Sequence, residues 1–140
     1  MPYTHHWLLK ERVLFVQFDK HITLEDVAEV SQRHESWLGS SQTTHMIHYI
    51  IDLRYVERYP RNILQIKEHL RTKLVRTDWI LFVTDDFFIT HLGDVFGKLL
   101  NYRFKQCESV SDAYRFLQET EEMPIPQHWS DSLDDTMPKR

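Results

Sequence analysis

Cysteine, glycine and long apolar runs are scarce in this 140-residue chain, and each shortage excludes a class of protein. Cys107 is the single cysteine, which excludes an intramolecular disulfide and a cysteine-based zinc site. The three glycines form no Gly-rich phosphate-binding loop. No apolar run approaches the ~20 residues that cross a bilayer, and the first residues do not resemble a signal peptide. We therefore expect a cytoplasmic protein without a transmembrane segment.

The composition that remains is typical of one soluble domain. The chain is 41% hydrophobic and 27% charged, which is enough apolar material for a single core at this length. From Pro124 onward, prolines and acidic residues replace the apolar pattern. We predict one domain over residues 1–123 and a disordered tail over residues 124–140.

The longest β-prone run lies at residues 46–53, and we predict that it forms the central strand of a sheet. It is apolar and β-branched and contains neither glycine nor proline, as expected of a strand buried on both faces. Two short β-prone runs before it are typical of a hairpin. Strands and helices alternate after it, in the order β-β-α-β-α-β-α-β-α. The sequence therefore predicts an α/β domain with a mixed four- to five-stranded sheet, in which the hairpin adds an antiparallel strand.

Polar residues at the predicted boundaries indicate where helices begin. Thr23 with Asp26, and Ser109 with Asp112, have the spacing of capping boxes, and Asp85 and Asp86 can cap a third helix. We predict a loop over residues 53–59 and a helix that has Pro60 in its first turn. The predicted apolar stripes of the second and third helices are Ile63, Ile66, Leu70 and Leu74, and Phe88, Leu92, Val95, Phe96 and Leu99.

Three segments give the chain a resemblance to the STAS domain, the anti-sigma-factor-antagonist-like family. They are Arg12-Val13-Leu14-Phe15-Val16, Tyr49-Ile50-Ile51-Asp52-Leu53 and Ser111-Asp112-Ala113-Tyr114-Arg115-Phe116-Leu117. The resemblance covers about residues 5–121. It implies a non-enzymatic regulatory or binding module that acts through a protein partner or through an apolar or anionic small ligand.

The chain departs from that family at the family's phosphorylation switch. STAS antagonists carry a phosphorylated Ser or Thr where the helix after the central strand begins. The corresponding loop here is Arg58-Tyr59-Pro60-Arg61-Asn62-Ile63, whose only side-chain hydroxyl is that of Tyr59. The family's switch therefore transfers to no residue of this chain.

Three carboxylates suggest an alternative function. Asp52, Asp85 and Asp86 follow predicted parallel strands, at the sheet edge where α/β proteins bind ligands. Oxygen ligands suit Mg²⁺, so these residues could serve a phosphoacceptor or a magnesium-dependent enzyme. Helix capping by Asp85 and Asp86 is the simpler explanation. His45 and His48 point to opposite faces of one strand and do not suggest a zinc site. We predict no catalytic residue, no metal and no cofactor.

A basic segment is the remaining candidate site. Residues 54–76 carry seven cations and two acidic residues, or +5, in a chain with a net charge of −4. We predict that Tyr55, Arg58, Tyr59, Arg61, Lys67 and Arg71 form a surface for an acidic partner or an anionic ligand group. A solvated helix face is the alternative explanation of these charges. We expect no nucleic-acid partner, and a homodimer is one oligomeric state compatible with the sequence.

Overall fold

The computed structural model of the protein describes residues 3–9, 12–39, 46–69 and 77–123. The predicted tail at residues 124–140 lies outside these ranges, and so do Leu70, Arg71 and Leu74 of the predicted second helix.

Five strands form one mixed sheet in the order of the chain. They are β1 Tyr3–Leu9, β2 Val13–His21, β3 Ile47–Arg58, β4 Thr77–Val83 and β5 Arg103–Cys107. β1 pairs with β2 antiparallel, and every later neighbour pairs in parallel. The predicted mixed sheet, its antiparallel hairpin and the central position of the strand at residues 46–53 are therefore confirmed.

Four helices connect the parallel strands and close the fold. They are α1 Leu24–Gly39, α2 Ile63–His69, α3 Phe87–Leu100 and α4 Val110–Glu121. Thr23 and Asp26 form a reciprocal capping box, in which each side chain accepts from the other residue's backbone N–H, at 3.1 and 2.8 Å. Ser109 Oγ accepts from the backbone N–H of Asp112 at 3.0 Å. The predicted helix starts at these two sites are confirmed.

The helices divide between the two faces of the sheet. α4 covers one face, where Ala113, Tyr114 and Leu117 are fully buried against Phe15 and Ile50. α1, α2 and α3 cover the other face. The buried residues of that second face include Leu14, Val16, Phe18, Ile47, Tyr49, Leu53, Ile80 and Ile89. The alternation of side chains along β2 and β3 therefore separates two apolar cores, one on each side of the sheet.

The predicted loop at residues 53–59 is wrong, because β3 continues to Arg58. Its added length pairs with the end of β2, where Asp19 lies opposite Tyr55 and Lys20 opposite Val56. α2 consequently begins at Ile63 rather than near Pro60, and Asn62 Oδ1 accepts from the backbone N–H of Gln65 at 3.1 Å.

The predicted apolar stripe of α3 is partly wrong. Phe88 and Leu99 are 37% and 53% exposed, whereas Leu92 and Phe96 are buried as predicted. Ile89, not Phe88, faces the sheet, because the helix begins at Phe87 with Asp86 as its N-cap.

Candidate functional site

An apolar cavity of about 210 Å³ lies between the sheet and the three helices α1, α2 and α3. The strands contribute Val16, Phe18, Tyr49, Ile51, Ile80 and Phe82 to its lining, and the helices contribute Val27, Val30, Ser31, Ile66, Leu92 and Phe96. Among the described residues that line it there is no carboxylate, imidazole, guanidinium or amine. The cavity can therefore hold an apolar molecule, but its lining offers no general acid or base near neutral pH.

The contacts of the three helices set the walls of this cavity. α3 lies close to β5 because Gly93 and Gly97 face Tyr102 and Phe104 without a Cβ between them. α1 packs against α2, whose described residues Ile63–His69 include the buried Ile66.

Two tyrosine hydroxyls of the lining donate hydrogen bonds within the protein. Tyr102 donates its hydroxyl proton to the carbonyl oxygen of Gly93 at 2.9 Å. Tyr59 donates to Asp86 Oδ2 at 3.0 Å, and burial together with this hydrogen bond raises the pKa of Tyr59. Ser31 differs, since its Oγ is buried and has no hydrogen-bond partner within the described part of the chain.

A cation lies beside the aromatic residues at one end of the cavity. Tyr59 lines the cavity, and its ring centroid lies 6.1 Å from that of Phe88. The exposed Arg61 guanidinium lies 5.2 Å from the Tyr59 ring centroid and 5.6 Å from that of Phe88. Part of the predicted basic surface therefore adjoins the cavity.

The other residues of the predicted surface occupy different places. Arg58 is the exposed last residue of β3, and Lys67 is exposed on α2. Tyr55 is half-buried in β3 and stacks with the Arg54 guanidinium at 5.2 Å. Arg71 lies outside the described residues. The structure thus brings Tyr59 and Arg61 together beside the cavity, while Tyr55 lies in the strand instead of the predicted loop.

The three carboxylates of the predicted magnesium-dependent alternative have different surroundings in the structure. Asp52 is fully buried and accepts four hydrogen bonds, one from Gln17 at 2.8 Å and three from Arg54 at 2.8 to 3.1 Å. Asp86 caps α3 and accepts from Tyr59, while Asp85 is exposed. No metal-like grouping within the described residues contains any of the three.

A different group of potential metal ligands was not predicted from the sequence. One atom each of His48, Asp78 and Glu121 lie within 4.8 Å of one another. The Arg103 guanidinium already binds both carboxylates there, at 2.5 Å to Asp78 and 2.6 Å to Glu121. His48 Nδ1 accepts from the backbone N–H of Trp79 at 3.3 Å, which leaves the proton of a neutral ring on Nε2. We interpret the group as an ion pair that joins β4, β5 and α4.

The thiol of Cys107 is not an activated nucleophile. Burial raises the pKa of Cys107 to about 11, above that of an ordinary thiol. The thiolate is the reactive form, so little of it exists at neutral pH.

Three of the cavity-lining residues recur at helical spacing in the sequence of α1. Val27, Val30 and Ser31 share the inner side of the helix, at three- and four-residue spacing. A serine within that apolar stripe is the sequence feature that distinguishes the cavity-lining face of α1.

Comparison with known proteins identifies the fold. No family model matches the sequence, and no curated protein is similar to it. Among solved structures, the chain is similar to an uncharacterized protein of the DUF3478 family with a SpoIIAA-like fold from Shewanella loihica PV-4. The TM-score is 0.58 at 17% identity, over 82% of this chain and 91% of that chain. The protein therefore has a SpoIIAA-like, or STAS-like, fold, as the sequence predicted. Within the described ranges, no helix has the length and apolar character required to cross a membrane.

Proposed function

We propose that this protein is a non-enzymatic binding module that holds a small apolar ligand in the cavity beneath α1, α2 and α3. The observation that carries the proposal is the cavity itself, an apolar space of about 210 Å³ against the central strands. The cavity is partly open to solvent and its lining is almost entirely apolar, so an apolar molecule that enters it removes apolar surface from water.

The volume sets the size of the ligand. An apolar cavity of about 150 Å³ in another protein holds benzene, and scaling from there gives about eight or nine non-hydrogen atoms for this one. An apolar ligand of that size gains affinity chiefly from the area that it buries. We expect a dissociation constant below about 1 mM.

A cavity-filling variant tests the proposal. Val30 lines the cavity from α1, and Val30→Phe places a larger apolar side chain in it. We expect 4-ethyltoluene, which has nine non-hydrogen atoms, to bind the wild-type protein in isothermal titration calorimetry. In Val30→Phe, binding should fall at least tenfold, while the thermal midpoint of the free protein stays the same or rises because the added ring covers apolar lining surface.

The matched control is Val95→Phe, since Val95 lies on α3 and is not among the described lining residues. It should leave the affinity for 4-ethyltoluene within about twofold of wild type. Failure of the wild-type protein to bind, or equal losses in both variants, would exclude the cavity as the binding site.

The basic surface supports a regulatory role for the same module. We propose that Tyr55, Arg58, Tyr59, Arg61, Lys67 and Arg71 contact an acidic protein partner, as the resemblance to STAS domains implies. Tyr59 lines the cavity and Arg61 stacks on its ring, so a partner bound there would lie next to the ligand. Occupancy of the cavity could then change the affinity for the partner, and the partner would change ligand affinity by the same factor.

A further inference from the structure

We infer that the cavity is a site for an aromatic ring, so that its ligand is a neutral molecule built on one six-membered aromatic ring. This inference rests on the proposed function, because it names the chemical class of the ligand that the cavity holds.

Aromatic side chains are concentrated in the lining. Six of the twenty described lining residues are aromatic, against 13% of the whole chain. They are Phe18, Tyr49, Tyr59, Phe82, Phe96 and Tyr102. The positive edge of one ring attracts the negative face of another, so an aromatic ligand gains affinity from such neighbours beyond the area that it buries. A saturated ligand of the same size gains from the buried area alone.

Hydrogen bonds outside the cavity hold two of these rings in place. The Tyr59 hydroxyl donates to Asp86 Oδ2 at 3.0 Å, and the Tyr102 hydroxyl donates to the carbonyl oxygen of Gly93 at 2.9 Å. Asp86 is itself fixed as the N-cap of α3, where its other carboxylate oxygen accepts from the backbone N–H of Phe88 at 2.8 Å. These two rings are therefore tied to the backbone of α3.

Ring-to-ring contacts hold two more. The Phe18 ring centroid lies 5.4 Å from that of Tyr3, and the Phe82 centroid lies 5.1 Å from that of Phe104, with the latter two planes nearly perpendicular. Neither Tyr3 nor Phe104 is among the described lining residues. A ligand does not have to order rings that the protein already holds, so more of the contact energy appears as affinity.

The charge of the lining favours a neutral aromatic molecule. Aromatic walls can also hold a cation, by attraction to the ring faces. No described lining residue is charged, so a cation or an anion that enters the cavity loses its hydration without a counter-ion in the wall. A volume of about 210 Å³ accommodates one aromatic ring with a short substituent.

A pair of ligands of matched size isolates the contribution of the aromatic ring. 2-Phenylethanol and 2-cyclohexylethanol have the same nine non-hydrogen atoms and differ only in the saturation of the ring. Their hydroxyl group provides solubility and can remain in water where the cavity is open. We compare how much each affinity changes on substitution in isothermal titration calorimetry, because the saturated alcohol is the more hydrophobic of the two.

Phe82→Leu is the principal variant, since leucine keeps the wall apolar and removes the ring. Tyr59→Leu removes a second lining ring at a half-buried position, and Tyr59→Phe keeps that ring. The matched control is Phe116→Leu, the same substitution on α4, which covers the opposite face of the sheet.

We expect Phe82→Leu to weaken 2-phenylethanol about three- to tenfold more than it weakens 2-cyclohexylethanol, the weight of one lost aromatic pair. Tyr59→Leu should discriminate between the two alcohols in the same direction. Tyr59→Phe and Phe116→Leu should leave the ratio of the two affinities within about twofold of wild type, because both retain every lining ring.

Several results would overturn the inference. If Phe82→Leu and Tyr59→Leu weaken both alcohols equally, or if the wild-type protein binds only the saturated alcohol, the rings give no preference for an aromatic ligand, and the proposed apolar cavity survives. Binding of tetramethylammonium that is lost in Phe82→Leu would assign the rings to a cation instead. If the wild-type protein binds neither alcohol, the inference and the proposed function both fail.

Discussion

His48 is the buried side chain through which acid would act on this fold. It is 3% exposed in the central strand, and burial lowers the pKa of His48 to about 4 from an ordinary value of 6.5. The carboxylate of Asp78 opposes this effect, while Arg12 and Arg103 add to it. The unfolded chain therefore binds more protons than the folded protein between about pH 4 and 6.5, so stability is lost as the pH falls through that window.

The slope of this effect can be measured. One proton taken up on unfolding changes the free energy of unfolding by about 1.4 kcal/mol per pH unit. We expect His48→Gln, which retains an acceptor for the Trp79 N–H, to show a smaller loss of stability than wild type between pH 6.5 and 4.5 in urea denaturation. His91→Gln, at an exposed position of α3, should follow the wild-type curve. Parallel curves for wild type and His48→Gln would mean that other groups carry the acid sensitivity.

The contact between α3 and β5 determines how closely that helix can approach the sheet. A Cβ on Gly93 would overlap the ring of Phe104, whereas a Cβ on Gly97 would lie 3.1 Å from the carbonyl oxygen of Tyr102. Phe104 also packs edge-on against Phe82, which lines the cavity, with ring centroids 5.1 Å apart. The glycine pair therefore permits the close approach of α3 to β5.

Gly93→Ala should destabilise the protein although alanine is the better helix former. The helix gains about 1 kcal/mol from the substitution, but overpacking against a buried ring costs about 1–3 kcal/mol. We expect a net loss in urea denaturation. Phe104→Leu combined with Gly93→Ala should recover part of it, because the smaller side chain makes room for the methyl group. Losses that simply add in the double variant would show that Phe104 is not the obstacle.

The whole molecule has an uneven charge. Residues 54–76 carry +5, so the rest of the chain carries −9 against a net charge of −4. In the structure Arg54 is paired with the buried Asp52, which offsets one of these positive charges. Arg58, Arg61 and Lys67 remain exposed, and we predict that they attract an acidic partner.

Charge reversal tests this surface. Arg58→Glu combined with Arg61→Glu should reduce binding of a ten-residue polyglutamate peptide at least tenfold at 20 mM salt, with a smaller effect at 200 mM because salt screens exposed charges. The free energy of unfolding should change by about 1 kcal/mol or less. Lys98→Glu combined with Arg115→Glu makes the same change in net charge on α3 and α4. Equal weakening by both pairs would assign the effect to net charge and exclude a local surface.

The amino-acid sequence by itself determined the order of the elements, the central strand and the starts of the first and last helices. These features depend on local patterns, namely β-branched runs, apolar periodicity and capping residues such as Thr23 and Ser109. The resemblance to STAS domains, made from short segments, also held for the fold.

Only the tertiary structure decided the length of β3 and the position of the cavity. Tyr55 and Val56 have no strand pattern of their own that outweighs the polar residues around them, and they are in β3 because the end of β2 pairs with them. The cavity depends on how α1, α2 and α3 meet over the sheet. Periodicity tells which side of a helix is buried, but the space left between three helices is set by their contacts with residues distant in sequence, as Gly93 with Phe104 shows. The lack of a hydrogen-bond partner for Ser31 Oγ among the described residues likewise follows from the tertiary structure.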